Sequence, residues 1–101
     1  MIVLHAAFPI QPDKRETALN LAADLVEQSN EEPGMIEYRA TTDIQDENTI
    51  RFFEQYEDVE AFEHHTQTAH FQEFEEQLPD LLAGEPEVLR FDVSEATEVE
   101  L

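Results

Sequence analysis

The sequence contains no cysteine and no tryptophan, and it has only two glycines among 101 residues. Without cysteine, a disulfide framework, a thiol nucleophile and a cysteine metal site are excluded. Two glycines are too few for a glycine-rich phosphate loop or a dinucleotide-binding fingerprint. No apolar run approaches the roughly 20 residues of a membrane-spanning helix, and the start of the chain lacks the basic segment of a signal peptide. We therefore expect a cytoplasmic protein with no membrane partner.

Basic residues are also scarce, because 25 acidic side chains face only five basic ones and the formal net charge is −20. Lys14 is the only lysine. Binding to nucleic acid is not expected, since phosphate neutralisation needs lysine and arginine. The acids are spread from Asp13 to Glu100 and are not gathered in one tail. A dispersed acidic surface is typical of proteins from concentrated salt, where screening falls to about 3 Å, and we infer a halophilic source.

Hydrophobic residues still make up 41 % of the chain, and seven of its nine aromatic residues are phenylalanine. That content suffices for one small hydrophobic core, which predicts a single folded domain. Hydrophobic periodicity and turn residues predict six elements. They are a strand over 2–10, a helix from Asp13 to about Asn30, strands over 35–42 and 49–57, a helix from Asp58 to before Gly84, and a last strand over 88–93.

Local signals refine these elements. Asp13 and Glu16 have the spacing of a capping box at the start of the first helix, and Asp58 is a good N-cap for the second. The polar stretch 67–69 predicts a bend or break in the second helix. Pro79 is expected to interrupt its regularity, and Pro9 suggests an edge strand or a departing chain.

The order β-α-β-β-α-β predicts an α+β fold, the ferredoxin-like plait, in which a four-stranded antiparallel sheet carries its helices on one face. The opposite sheet face also carries apolar residues, which must be covered. We therefore predict a homodimer that packs sheet against sheet. The domain is expected to span residues 1–93, followed by an acidic C-terminal extension over 94–101.

Several short motifs, in order and with matching gaps, resemble the antibiotic biosynthesis monooxygenase family. They cover nearly the whole chain: Glu32-Pro33-Gly34, Tyr38, the run from Phe53 to Asp58, and His65-x-x-Thr68-x-His70-Phe71. The resemblance implies a dimeric α/β barrel with a ligand pocket. It also implies one of several activities, because the family includes cofactor-independent oxygenases, haem-degrading oxygenases and an isomerase of a phosphorylated signal molecule.

Haem degradation is not expected. The haem-degrading members use an asparagine near Ala6, a tryptophan near His65 and an axial histidine near Glu75, and this sequence has none of the three at those positions. The stretch from Tyr56 to Gly84 is more similar to quinol-monooxygenase-like members. We therefore expect a monooxygenase that needs no cofactor and acts on a small quinol or electron-rich aromatic molecule.

Two histidines are the candidate catalytic residues. His65 follows the apolar stripe of the second helix and is expected to face inward, where an imidazole can act as a base near neutral pH. His70 lies five residues later, and only a bend near Thr68 would bring the two rings together. The candidate substrate-binding residues are Tyr38, Glu54, Tyr56 and Phe62.

Each of these residues also has a purely structural interpretation. His65 can be a hydrogen-bonded residue at a helix break, His70 can fix the start of the next helix, and Glu54 can be half of an ion pair across the hairpin. A metal site from His64, His65 and His70 lacks the i, i+4 spacing of helical zinc ligands, so no metal is expected. Two further functions stay open: a non-catalytic dimer that binds a small ligand, and a phosphate-binding isomerase that would use Arg39, Arg51 or Arg90.

Overall fold

A computed structural model describes the whole chain, Met1 to Leu101. Four strands and three helices follow one another as β1 (Ile2–Pro9), α1 (Arg15–Ser29), β2 (Met35–Asp43), β3 (Asp46–Tyr56), α2 (Val59–Thr66), α3 (Ala69–Leu81) and β4 (Glu87–Asp92). The strands form one antiparallel sheet in the order β2-β3-β1-β4. The predicted ferredoxin-like plait is thus confirmed. None of the helices has the length and apolar character to cross a membrane.

The core lies between one sheet face and the helices. Alternate residues of β1 from Ile2 to Phe8 are buried, as the period of two in the sequence predicts. Ala6 and Phe8 belong to the larger core cluster, with Phe52 of β3, Leu25 of α1 and Phe74 of α3. Ile2 and Leu4 belong to a smaller cluster with Tyr56 and Ala61. The rings of Phe8, Phe52 and Phe74 meet edge to face at 5.5 to 5.9 Å between centroids, a favoured aromatic geometry.

The sheet face away from the helices is open. Phe53, Leu89 and Phe91 are 39 to 47 % exposed on this face, beside the half-buried His5. The register pairs His5 of β1 with Phe53 of β3 and with Leu89 of β4, so these side chains form one patch across three strands.

Two sequence predictions about β1 and α1 meet different outcomes. Of the two alternatives for Pro9, the edge strand is wrong, because β1 is paired with β3 on one side and β4 on the other, whereas the departing chain is confirmed, because β1 ends at Pro9. The predicted Asp13 cap of the first helix is wrong. A short 3-10 turn over Pro12–Lys14 comes first, α1 begins at Arg15, and no side chain caps it.

The hairpin and the last helix also differ from the sequence prediction. β3 begins at Asp46 instead of residue 49, because the Asp43 carboxylate accepts a hydrogen bond from the Gln45 amide (2.8 Å) and closes a tight turn. Pro79 lies within α3 without ending it. The carbonyl that loses its donor there is that of Glu75, an exposed residue, so water can take the place of the missing amide.

Candidate functional site

A cavity of about 310 Å³ lies between the sheet and helices α2 and α3. Its walls are mostly apolar, from strand residues Leu4, Ala6, Phe8, Phe52 and Val88 and helix residues Phe62, Phe71, Phe74 and Leu78. Its polar wall comes from Tyr38 and Glu54, with Glu75 and Pro86 completing the lining. An apolar cavity with a few convergent polar groups is the usual form of a small-molecule site.

Glu54 is the buried acid of this cavity, with 7 % of its surface exposed. Strand alternation brings it to the helix side of β3 together with Tyr56, whose hydroxyl donates a 2.5 Å hydrogen bond to the Glu54 carboxylate. Burial, assisted by the negative charge of Glu32, raises the pKa of Glu54 from its ordinary 4.5 to about 7, although the bond from Tyr56 opposes this. Near neutral pH this carboxyl is therefore present in both protonation states.

Tyr38 and Tyr56 flank the acid. Tyr38 of β2 lies directly opposite Glu54 in the strand register. Its backbone is held by Asn30, whose amide side chain donates to the Tyr38 carbonyl (2.9 Å) and accepts from the Tyr38 amide (3.1 Å). Burial and then the charge of Glu54 raise the pKa of both tyrosines above the ordinary value, so both phenols keep their protons. They are hydrogen-bond donors at this site.

A second polar cluster joins the two candidate histidines through Glu32. One carboxylate oxygen of Glu32, Oε2, lies 2.8 Å from Nδ1 of His65 and 2.6 Å from Nε2 of His70. The side chains are 5 %, 1 % and 15 % exposed for Glu32, His65 and His70. Burial lowers the pKa of His65, while the neighbouring Glu32 opposes this. Two buried polar atoms, Oε1 of Glu32 and Nε2 of His65, have no hydrogen-bond partner.

Helix capping explains how residues five apart come together. Asp58 caps α2 by accepting a hydrogen bond from the Ala61 amide (2.8 Å), and α2 ends at Thr66. Thr68 then starts α3 by accepting from the Phe71 amide. Because the chain turns between the two helices, the rings of His65 and His70 lie 6.1 Å apart. The break expected at 67–69 and the Asp58 cap are both found here.

The structure separates the sequence-predicted site residues into two groups. Tyr38, Glu54 and Phe62 line the cavity, and Tyr56 lies fully buried behind Glu54. His65 and His70 do not line the cavity. The ring of His65 lies behind the lining residues Tyr38 and Phe71, at 5.1 and 5.0 Å between ring centroids, and 5.7 Å from the buried ring of Tyr56.

Sequence reasoning missed one member of the histidine cluster. Glu32 precedes Pro33-Gly34 in the loop before β2, and its only signal was its place in the family motif. His64, in contrast, is exposed on α2 and takes no part in the cluster. The roles of all these residues stay predictions.

The family model described as antibiotic biosynthesis monooxygenase matches residues 1–77. A Bacillus subtilis protein, YcnE, provisionally named a monooxygenase, is 38 % identical over 95 residues, which are 94 % of this chain and 100 % of that protein. The Synechocystis protein sll1783 is 36 % identical over 94 residues, or 93 % of this chain. The chain spans only 64 % of the length of that cyanobacterial relative.

Solved structures have the same fold. A Caulobacter crescentus protein, provisionally named an antibiotic biosynthesis monooxygenase, superposes with a TM-score of 0.87 at 26 % identity and covers 93 % of this chain and 90 % of its own. Rv0793 from Mycobacterium tuberculosis superposes with a TM-score of 0.89 at 20 % identity, covering 96 % of this chain and 98 % of its own. The second comparison concerns the fold alone.

Proposed function

The chain belongs to the antibiotic biosynthesis monooxygenase family, and from this premise we propose that it is a cofactor-independent monooxygenase of a small quinol or electron-rich aromatic molecule. One observation carries the proposal: a single buried carboxyl, that of Glu54, lies in the wall of an apolar cavity with its pKa raised to about 7. A cavity of about 310 Å³ suits a substrate of one or two rings.

Glu54 is the proposed base, in place of His65. A base must reach the proton that it removes, and Glu54 lines the cavity whereas His65 does not. Its pKa also suits the task, because a base works best when its pKa lies near the working pH. The Tyr56 hydroxyl, 2.5 Å from the carboxylate, holds the acid in place, and the Tyr38 phenol is a hydrogen-bond donor for a substrate oxygen.

The proposed reaction balances without an external reductant. Glu54 removes a proton from the quinol, and the resulting anion transfers one electron to dioxygen. The substrate radical and superoxide combine into a new C–O bond, and Glu54 returns its proton to the outer peroxide oxygen, which gives a hydroperoxide and regenerates the base. The ring carbon then loses its hydrogen as the O–O bond breaks and water leaves, so that the ring keeps one oxygen atom as a hydroxyquinone. The substrate supplies all the electrons, and dioxygen is divided between product and water.

Oxygen uptake with a panel of quinols tests this proposal. Glu54→Gln keeps the size of the side chain but removes its basicity, and we expect kcat/KM to fall by about 10²- to 10⁴-fold. Glu76→Gln, at an exposed position of α3, is the matched control and keeps full activity. A large loss in His65→Gln with none in Glu54→Gln would return the base to the histidine. No uptake by the wild-type protein with any quinol would favour a non-catalytic ligand-binding dimer.

The arginines do not favour a phosphate-binding isomerase. Each of the three strand arginines already has a carboxylate partner: Arg39 with Glu37, Arg51 with Asp43, and Arg90 with Asp92, at 2.8 to 2.9 Å. None of the three lines the cavity. A phosphorylated substrate in this cavity would therefore meet the buried acid Glu54 and no arginine.

The proposal includes a homodimer formed through the open sheet face. Phe53, Leu89 and Phe91 form an exposed apolar patch there, and two copies of such a patch can cover each other about a twofold axis. We also propose that the protein works in a salt-rich cytoplasm. The 25 acidic residues dispersed over 101 positions repel one another less when salt screens their charges.

A further inference from the structure

The cluster of Glu32, His65 and His70 lies outside the cavity, and the proposed reaction does not use it. We propose that these three residues bind one divalent transition-metal ion of the zinc class, as a structural site. One ligand atom from each residue lies within 4.8 Å of the other two. A set of two imidazoles and one carboxylate binds Zn²⁺ and its first-row neighbours in preference to Mg²⁺ or Ca²⁺.

The geometry of the cluster supports a cation at its centre. Nδ1 of His65 and Nε2 of His70 both point at Oε2 of Glu32, at 2.8 and 2.6 Å. A metal ion at about 2.0 to 2.1 Å from each nitrogen would take the point on which they converge. Glu32 would then move back and become the third ligand. It belongs to the loop between α1 and β2, outside any helix or strand, so this movement needs no change in the sheet.

Two features of the cluster are unexplained by hydrogen bonding alone. Oε1 of Glu32 is buried without a partner, and a buried carboxylate oxygen in that state costs free energy. Bidentate coordination of the ion would use it. The Glu32 side chain is also only 5 % exposed, so its negative charge is largely removed from water. A divalent cation at this point would balance that buried charge.

The surroundings fit a structural site more than a catalytic one. The three ligands come from the loop after α1, the end of α2 and the start of α3, so an ion would tie these segments together. Tyr38 and Phe71 place their rings 5.1 and 5.0 Å from the ring of His65 and shield it from the solvent. The side chain of His70 is 15 % exposed, so an ion or a water ligand can reach the site from the side of His70.

Zn²⁺ titration of the whole protein, followed by the ring proton signals of its four histidines in NMR, tests the site. The titration is run in 1 M KCl with excess MgCl₂, so that surface carboxylates are screened and occupied. We expect saturation at one Zn²⁺ per chain, with the signals of His65 and His70 shifted and those of His5 and His64 unchanged. No saturable binding, or equal shifts at all four histidines, would overturn the proposal.

Variants test the ligands one at a time, with calorimetry as the measure of Zn²⁺ affinity. His70→Gln, at the least buried ligand, and Glu32→Gln, which preserves shape, are each expected to weaken binding by at least about 100-fold, since even outer-sphere changes cost 10- to 100-fold. His64→Gln is the matched control, because His64 is exposed and adjacent to His65, and its affinity should be that of the wild type. Zn²⁺ should also raise the Tm of the wild type and of His64→Gln only. Undiminished affinity in Glu32→Gln would refute the site, whatever the outcome of the oxygenase assay.

Discussion

The Glu54 carboxyl makes the stability of the protein depend on pH in a direction opposite to that of most acids. Its pKa is about 7 in the folded protein, against an ordinary 4.5 in an unfolded chain. Between these values the native state binds the proton more tightly, so the free energy of unfolding falls as the pH rises. This loss of stability, which comes from ionising the buried Glu54 carboxyl, is absent below pH 4.5 and complete above pH 7. At about 1.4 kcal/mol per pKa unit, it amounts to roughly 3 kcal/mol.

Glu54→Gln removes this penalty, because a neutral amide cannot ionise. We therefore expect the variant to gain roughly 3 kcal/mol relative to the wild type between pH 4.5 and pH 8, while it loses the proposed oxygenase activity. The absolute offset between the two proteins also contains the exchanged hydrogen bond with Tyr56, so the change with pH is the quantity to measure. The gain has a functional meaning: the wild type keeps a charged group where a neutral one would be more stable.

Urea unfolding in 1 M KCl at pH 4.5, 5.5, 6.5, 7.5 and 8.5 measures the effect. Repulsion among the many surface acids also varies with pH, but it is common to both proteins and cancels in their difference. Glu76→Gln, exposed on α3, controls for the loss of one acid. A difference between Glu54→Gln and the wild type that stays constant within about 0.5 kcal/mol over this range would refute the raised pKa.

Three further predictions concern the fold and its surface. Gly34→Ala should lower the free energy of unfolding in urea by at least about 2 kcal/mol, because Gly34 has φ +83° and an added Cβ would lie 2.6 Å from the Cβ of Ala61. Gly84→Ala is the control and should leave the stability unchanged, because an added Cβ there would meet only Pro9, at 3.6 Å. Leu89→Asp on the open sheet face should give a monomer mass in light scattering at molar salt, while Ile44→Asp at the exposed hairpin turn should keep the dimer; a wild-type monomer would contradict the interface. The Tm of the wild type should rise between 0.1 and 2 M KCl, and a Tm independent of salt would remove the halophilic interpretation.

Much of the fold follows from local patterns in the sequence. Alternating apolar residues define β1 and its buried face, and Asp58 marks the start of α2 by a cap that the structure contains. The break before Thr68 also follows from local polarity. These signals succeed because each depends on interactions within a few residues of the chain.

The errors occur where a second, competing local interaction decides. Asp13 has the spacing of a cap, but Pro12 begins a 3-10 turn first, and Arg15 ties the helix start to the Glu47 carbonyl at 2.8 Å. Pro79 is tolerated because it lies near the end of α3 on an exposed side.

The candidate site was less predictable because it depends on contacts between distant segments. Helical periodicity indicates that His65 is buried, but it does not say whether the ring faces a cavity or a loop. The partner Glu32 lies 33 residues earlier, and only the path of the loop after α1 brings it to His65. The sequence also indicates Glu54 as a candidate binding residue, yet its exposure to the cavity depends on the packing of α2 and α3.

The alternation along β3 has a consequence for how the length of this strand can vary. Glu54, which faces the cavity, lies between Phe53 and Gln55, which face the open side of the sheet. Because neighbouring residues point to opposite faces, the insertion or deletion of one residue before Phe53 would turn the acid outward and bring an aromatic ring into the cavity. Such a change would disrupt the cavity and the open sheet face together. We therefore expect changes in the length of this hairpin only in the turn at Ile44 and Gln45.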